Sequence, residues 1–154
     1  FPCSVFSTLR DLRKMDNALM DTVAEPEMVE AYMERFIPYA VSQVHLAADC
    51  GVDGIISTRA PIIRTARELG FLTVQRIFAL DSQGMGTVPE MLHAANPHFM
   101  EIMPGVIPKA IKRFSTGAVP VIAGGLIDTK AEITAALKNG ATAISTGCAE
   151  LWEV

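Results

Sequence analysis

The sequence predicts an α/β fold, a (β/α) TIM-type barrel either incomplete or with missing segments in its N-terminal third, in a single domain spanning residues 1–154. Three observations carry this expectation. From residue 51 onward, apolar β-rich runs alternate with helical segments at a spacing of roughly 20–25 residues, as parallel βα units do. The apolar runs are continuous rather than alternating, which is the pattern of strands covered on both faces. The last two runs, VPVIAGGLI (119–127) and GATAISTG (140–147), both break off at Gly, Ser or Thr.

The elements follow in order. DGIIST (53–58) is a strand. PIIRTARELG (61–70) is a helix, with Pro61 at its start, where a missing N–H costs nothing, and Gly70 at its stop. LTVQRIFALDS (72–82) is a strand rich in β-branched and aromatic residues. VPEMLHAANP (88–97) is a helix ended by Asn96 and Pro97, and FMEIMPG (99–105) is a strand closed by Pro-Gly. IPKAIKRFS (107–115) is a helix, VPVIAGG (119–125) a strand, and DTKAEITAALKNG (128–140) the clearest helix of the chain. Asp128 serves as its N-cap and Asn139-Gly140 as its C-cap. ATAISTG (141–147) is the fifth strand, and AELWEV begins a terminal helix.

The first 50 residues do not hold the three further units of an eight-stranded barrel. FPCSVF (1–6) reads as a strand and STLRDLRKMDNALMD (7–21) as an amphipathic helix. The segment from Glu25 to Gly51 is mostly helical and is expected to be interrupted at Pro38. Met15, Met20, Met28 and Met33 recur at helical intervals and are assigned to the core. Either the barrel is incomplete, or segments of it are absent from the chain.

Composition narrows the function. Half of the 154 residues are hydrophobic and 19% are charged, enough for a sizeable core, and the formal net charge of −4 argues against broad nucleic-acid binding through a basic surface. Cys3, Cys50 and Cys148 are odd in number and far apart, so neither a disulfide framework nor a zinc site is indicated, and buried reduced thiols are expected. No apolar run reaches membrane-spanning length, and the N-terminus lacks the pattern of a signal peptide. The expected compartment is the cytoplasm, with no membrane partner.

The two Gly/Ser/Thr breaks suggest an anion. Barrels that bind phosphate place it at the loops after their last two strands. Gly124, Gly125, Ser145, Thr146 and Gly147 would share one rim, where glycine allows close backbone approach and free N–H groups favour negative charge.

At a larger scale, GVDGIISTRAPIIRTARELGFLTVQRIFALDS, MEIMPGVIPKAIKR and PVIAGGLIDTKAEITAALKNGATAISTGCAELW together resemble the glycerol-3-phosphate-responsive antiterminators, the regulators of the glycerol uptake operon. The resemblance covers residues 51–152, with a weaker echo in FPCSVFSTLRDL. The family's second and third strands, with a His-Xaa-Asp-Leu element before a Gly-Leu turn, have no counterpart here. The resemblance implies a barrel regulator, not an enzyme, that takes glycerol 3-phosphate as effector without another cofactor or metal. When loaded it acts on a leader mRNA to prevent termination of glycerol-utilisation genes. It leaves a homo-oligomer open.

Beside that resemblance, individual residues are candidates for the ligand. Thr58 and Arg59 end the first visible strand, and an Arg there can pair with phosphate through a fork of hydrogen bonds. Gln75 and Arg76 lie in mid-strand and point to opposite faces. Asp81 closes that strand and can meet glycerol hydroxyls or cap a turn. Glu101 is a carboxylate in an otherwise apolar strand, which requires a partner or a use. It binds a hydroxyl, pairs with Arg76 or another strand Arg, or serves as an acid/base. His45, His93 and His98 are assigned to the surface or to packing. For RNA, Lys109, Lys112 and Arg113 share one helical face at i, i+3 and i+4, with Arg10, Arg13 and Lys14 as the other basic group. The competing reading is a phosphate-substrate barrel enzyme with Glu101 or Asp81 as acid/base. Few ionisable groups at the strand ends weigh against it.

Overall fold

The computed structural model describes residues 26–79 and 84–153. Two compact units divide between Cys50 and Gly51. FPCSVF, the helix expected over 7–21, Cys3, Met15, Met20 and the cations Arg10, Arg13 and Lys14 lie outside the described residues.

In the first unit the described residues form one helix, α1 (Pro26–Asp49), which runs through Pro38. The interruption expected there does not occur. A proline inside a helix removes one hydrogen bond and crowds one carbonyl, a penalty of roughly 3 kcal/mol that a 24-residue helix absorbs without ending. Met28, expected in the core, is 38% exposed on the first turn of this helix. Cys50, expected as a buried thiol, is exposed in the turn after the helix, and Cys148 is half-buried; both are free.

In the second unit the order is β1 (Gly54–Ser57), α2 (Ala60–Glu68), β2 (Leu72–Phe78), α3 (Gly84–Ala95), β3 (Phe99–Met103), α4 (Pro108–Phe114), β4 (Val121–Gly124), α5 (Lys130–Lys138) and β5 (Ala143–Ser145). Where a helix is expected to begin, Ala149–Leu151 form one 3₁₀ turn. All five strands are parallel, in the order β1-β2-β3-β4-β5. A doubly wound sheet reverses its strand order at a switch point; this one does not. Its core helices pack on one face, so it is a section of barrel wall rather than an open two-sided sheet.

The buried cluster lies on that helix-covered face. Ile77, Met100, Ile102, Val121 and Ala123 from the strands meet Val88 of α3, Ile111 and Phe114 of α4, and Ala136 of α5. The registers Arg76↔Glu101 and Glu101↔Ile122 place the intervening residues on the opposite, inner face. There Ile56, Leu72 and Phe78 are each at least half exposed.

Local chemistry fixes the ends of the elements. Gly70, with φ +86, closes α2. α3 starts four residues earlier than expected, carries Pro89 inside, and ends before Asn96 at φ +45. Before β3, His98 is clasped to the buried Thr73 of β2. The Thr73 N–H donates to His98 Nδ1 at 3.1 Å, and the His98 N–H donates to the Thr73 carbonyl at 3.1 Å.

The N-cap of α5 is Thr129 rather than Asp128. Glu132 Oε2 accepts from the N–H groups of Asp128 (3.0 Å) and Thr129 (2.9 Å) and from the Thr129 hydroxyl, while the Thr129 Oγ1 accepts from the Glu132 N–H, a complete capping box. The Asp128 N–H and the Thr129 hydroxyl hold the Glu132 carboxyl below its ordinary value of 4.5. A lowered carboxyl stabilises the folded state fully above that ordinary value and loses the contribution as pH falls through the lowered one. Independently of that linkage, Thr129→Ala removes the N-cap and is expected to cost about 1 kcal/mol at pH 7. The deficit relative to wild type should shrink in urea melts taken below pH 4.5.

Among the described residues no helix is long and apolar enough to cross a membrane, and no group of three or more His, Cys, Asp or Glu side chains could hold a metal.

Candidate functional site

Among the described residues the inner face of the sheet carries one charged pair. Arg76 of β2 and Glu101 of β3 are direct lateral neighbours. Arg76 Nε donates to Glu101 Oε2 at 2.6 Å. Glu101 is 2% exposed and Arg76 35%. The carboxylate that looked out of place in an apolar strand therefore has a counter-charge, one of the alternatives the sequence left open. The Nη groups of Arg76 make no hydrogen bond among the described residues, so the guanidinium is fixed at one corner with its other donors unspent. Glu101 leans toward the C-terminal end of its strand, and its Oε1 lies against Gly124 of β4. Gly124 in turn is level with Ser145 of β5.

Gln75 goes the other way. It is fully buried on the helix-covered face, its Nε2 donating to the carbonyls of Ser57 and Arg76 at 3.2 Å each. The opposite orientation of residues 75 and 76 is as expected, but only Arg76 joins the inner-face group.

The loop after β4 turns through two left-handed residues, Gly125 (φ +74) and Leu126 (φ +57). A bulky side chain at positive φ is uncommon and strained, and Leu126 is 68% exposed. Gly105, after β3, packs directly on this loop. Its N–H donates to the Gly124 carbonyl at 2.6 Å and to the Gly125 carbonyl at 3.1 Å.

The loop after β5 is held by Thr146, whose hydroxyl donates to the Ile127 carbonyl at 2.6 Å and accepts from the Cys148 N–H at 3.0 Å. Its carbonyl accepts from Trp152 Nε1 at 3.0 Å. The Thr146 side chain is thus committed to joining the two loops, while Ser145 and Gly147 are exposed beside them. An open depression of ≈ 630 Å³ borders this rim, lined by Ser145 and Thr146 with Ile122, Ile133, Leu137, Ile144 and Trp152.

Thr58 and Arg59 end β1 and are half-buried. Arg59 is the N-cap residue of α2, its N–H donating to Ser57 Oγ at 3.1 Å. Asp81 lies outside the described residues. Lys109, Lys112 and Arg113 are all exposed on α4, with the Arg113 guanidinium 5.6 Å from the Phe114 ring centre. His45, His93 and His98 are exposed.

Sequence reasoning missed Gly105, Leu126 and Trp152. Gly105 had a signal, the Pro-Gly directly after a strand, but not its partner loop. Nothing in the pattern marks Leu126 as left-handed.

Comparison with known proteins gives a consistent picture. The family described as "Glycerol-3-phosphate responsive antiterminator" matches residues 39–152. The uncharacterized protein YgcP of Escherichia coli (strain K12) is 35% identical over 102 residues, covering 65% of this chain and 53% of that protein. The crystal structure of a glycerol uptake operon antiterminator regulatory protein from Listeria monocytogenes superposes with a TM-score of 0.62 at 36% identity, over 66% of this chain and 55% of the other. A glycerol uptake operon antiterminator-related protein from Thermotoga maritima gives 0.65 at 31% identity, over 72% and 63%. Orotidine 5'-phosphate decarboxylase from Pyrococcus horikoshii, at 14% identity and a TM-score of 0.55, agrees in fold alone. The chain spans between 53% and 63% of the length of the first three relatives.

Proposed function

The chain belongs to the glycerol-3-phosphate responsive antiterminator family, and on that footing we propose that it binds glycerol 3-phosphate at the inner, C-terminal rim of its sheet and acts on leader mRNA of glycerol-utilisation genes in the cytoplasm. The observation that carries the ligand half is Arg76, oriented by Glu101, with its terminal donors unused among the described residues. The phosphate has a cation in Arg76 and a rim of small residues in Gly124, Gly125, Ser145 and Gly147. Thr58 and Arg59 supply polar groups at a neighbouring strand end, and Asp81, outside the described residues, is kept as a candidate from its sequence position alone. We take residues 1–154 as one barrel domain, a reading whose support, the unreversed strand order, lies within the unit from Gly51 onward.

The reading is of a binding protein rather than an enzyme. Glu101, a candidate acid/base, is tied to a guanidinium at 2.6 Å. Purified protein should leave glycerol 3-phosphate unconsumed over hours, and time-dependent turnover would favour the enzyme.

A thermal-shift series with glycerol 3-phosphate, glycerol and inorganic phosphate tests the ligand. At 100 times Kd a true ligand adds about 2.7 kcal/mol to stability, and no shift at millimolar glycerol 3-phosphate would sink the assignment. Gly147→Asp is the cleaner probe of the rim. Gly147 has open space where a Cβ would go, whereas at Gly125 a Cβ would lie 2.8 Å from Met103 Cε at a φ of +74, mixing strain with charge. The expected result is an unchanged melting temperature and at least tenfold weaker binding, on the scale of one ionised side chain beside a phosphate.

For the RNA half, Lys109, Lys112 and Arg113 are the candidate phosphate contacts. Each lost contact to a single strand lowers the slope of log K against log salt by about 0.7. The triple Ala variant should keep its ligand affinity and lose about two units of slope if all three act. An RNA affinity and slope equal to wild type would leave α4 a solvated face.

A further inference from the structure

The glycine at position 124 has a sharper role than a flexible turn residue. Unlike Gly125, its φ lies outside the left-handed region, so backbone conformation does not call for glycine there. What calls for it is volume. A Cβ at 124 would overlap Glu101 Oε1 and lie 3.0 Å from Glu101 Cδ and 3.1 Å from Cγ. The same carboxylate holds Arg76 through its other oxygen at 2.6 Å, and at 2% exposure it has no solvated position to retreat to without leaving that contact.

We propose that Gly124 is a positioning residue for the ligand site: by lacking a side chain it seats the Glu101 carboxylate, which turns the Arg76 guanidinium so that its Nη donors face the open side of the sheet as an anion receptor. This deepens the ligand reading above and rests on it for the affinity step. It makes the glycine act through two side chains on two other strands rather than through its own N–H on the anion. The atoms that meet the missing Cβ belong to a side chain and not to the backbone, so Gly124→Ala displaces the carboxylate and leaves the strand in place.

The test uses the full chain and three variants: Gly124→Ala, Gly124→Ala with Glu101→Asp, and Arg76→Lys. The first readout is ligand-free. The Arg76 Nε–H proton, assigned by its disappearance in Arg76→Lys, is followed by NMR solvent exchange. Wild type should show it protected by the carboxylate, and Gly124→Ala should speed its exchange at least tenfold. The double variant, whose carboxylate is shorter by one methylene, should restore part of the protection. The second readout is affinity for glycerol 3-phosphate, expected to fall at least tenfold in Gly124→Ala and to recover in part in the double variant. Protection unchanged in Gly124→Ala overturns the proposal, whatever happens to affinity. Affinity lost with protection intact assigns the glycine to direct ligand contact instead. If wild type binds no glycerol 3-phosphate the ligand reading fails, and the exchange comparison still decides whether Gly124 seats the carboxylate.

Discussion

Arg76→Met is expected to destabilise the protein by about 2–3 kcal/mol, because it leaves the Glu101 carboxylate buried without its counter-charge. The figure stands at the low end for breaking a buried pair. Arg76 is 35% exposed, so water already screens part of the attraction, whereas Glu101 at 2% has no such relief. The double variant Arg76→Met with Glu101→Leu should recover to within about 1 kcal/mol of wild type, since an apolar pair of similar volume costs no desolvation. Urea melts of wild type, Arg76→Met, Glu101→Leu and the double variant close the cycle. A single variant as stable as wild type would mean that the carboxylate finds water. The single and double variants should both fail to bind glycerol 3-phosphate, which separates the pair's contribution to folding from its contribution to binding.

Gly105→Ala carries the second large effect, about 3 kcal/mol or more from overpacking. Its Cβ would lie 2.7 Å from Gly124 N, 2.8 Å from the Ala123 carbonyl carbon and 2.8 Å from Ile127 Cδ1. Two of the three are backbone atoms of the rim, which cannot yield without moving β4. The two hydrogen bonds from the Gly105 N–H to the Gly124 and Gly125 carbonyls would be strained at the same time. Gly86→Ala is the control. It lies inside α3 with nothing within 4 Å of the added carbon, and should stabilise by about 0.5 kcal/mol. A Gly105→Ala melt indistinguishable from wild type would show that the rim is softer than its contacts indicate.

The βα rhythm from residue 53 was legible because strand runs and caps are local signals. All five strands stand where their apolar runs lie, each shorter than its run. The misplacements are of one kind. Asp128 and Thr129 are both good caps, and the choice went to Thr129 because its hydroxyl and the Glu132 carboxylate serve each other. Pro38 looked like a stop, yet the helix holds through it. Glu101 could be singled out as a carboxylate needing a partner, and Arg76 named among its partners, because strand position and polarity are visible in the string. Which of Gln75 and Arg76 faces inward was not, since strand alternation gives opposite faces without saying which is covered. The contact of Gly105 with Gly124 joins loops 19 residues apart, a register that no periodicity encodes. The proposed anion rim was readable in the two Gly/Ser/Thr breaks; the approach of Gly124 to the Glu101 carboxylate was not.

The clasp at the base of β2 and β3 also offers a reporter. With Thr73 N–H donating to Nδ1, the His98 imidazole is an acceptor at that nitrogen, and a neutral ring must carry its proton on Nε2. The tautomer is thus chosen by a backbone amide 25 residues away in sequence. In a ¹⁵N-labelled sample the two ring nitrogens of one exposed histidine would give widely separated shifts while the strand starts are joined, and shifts drawn closer together by tautomer exchange once they part. A single pair of resonances could then time the opening of this end of the sheet during unfolding, without a label attached to either strand.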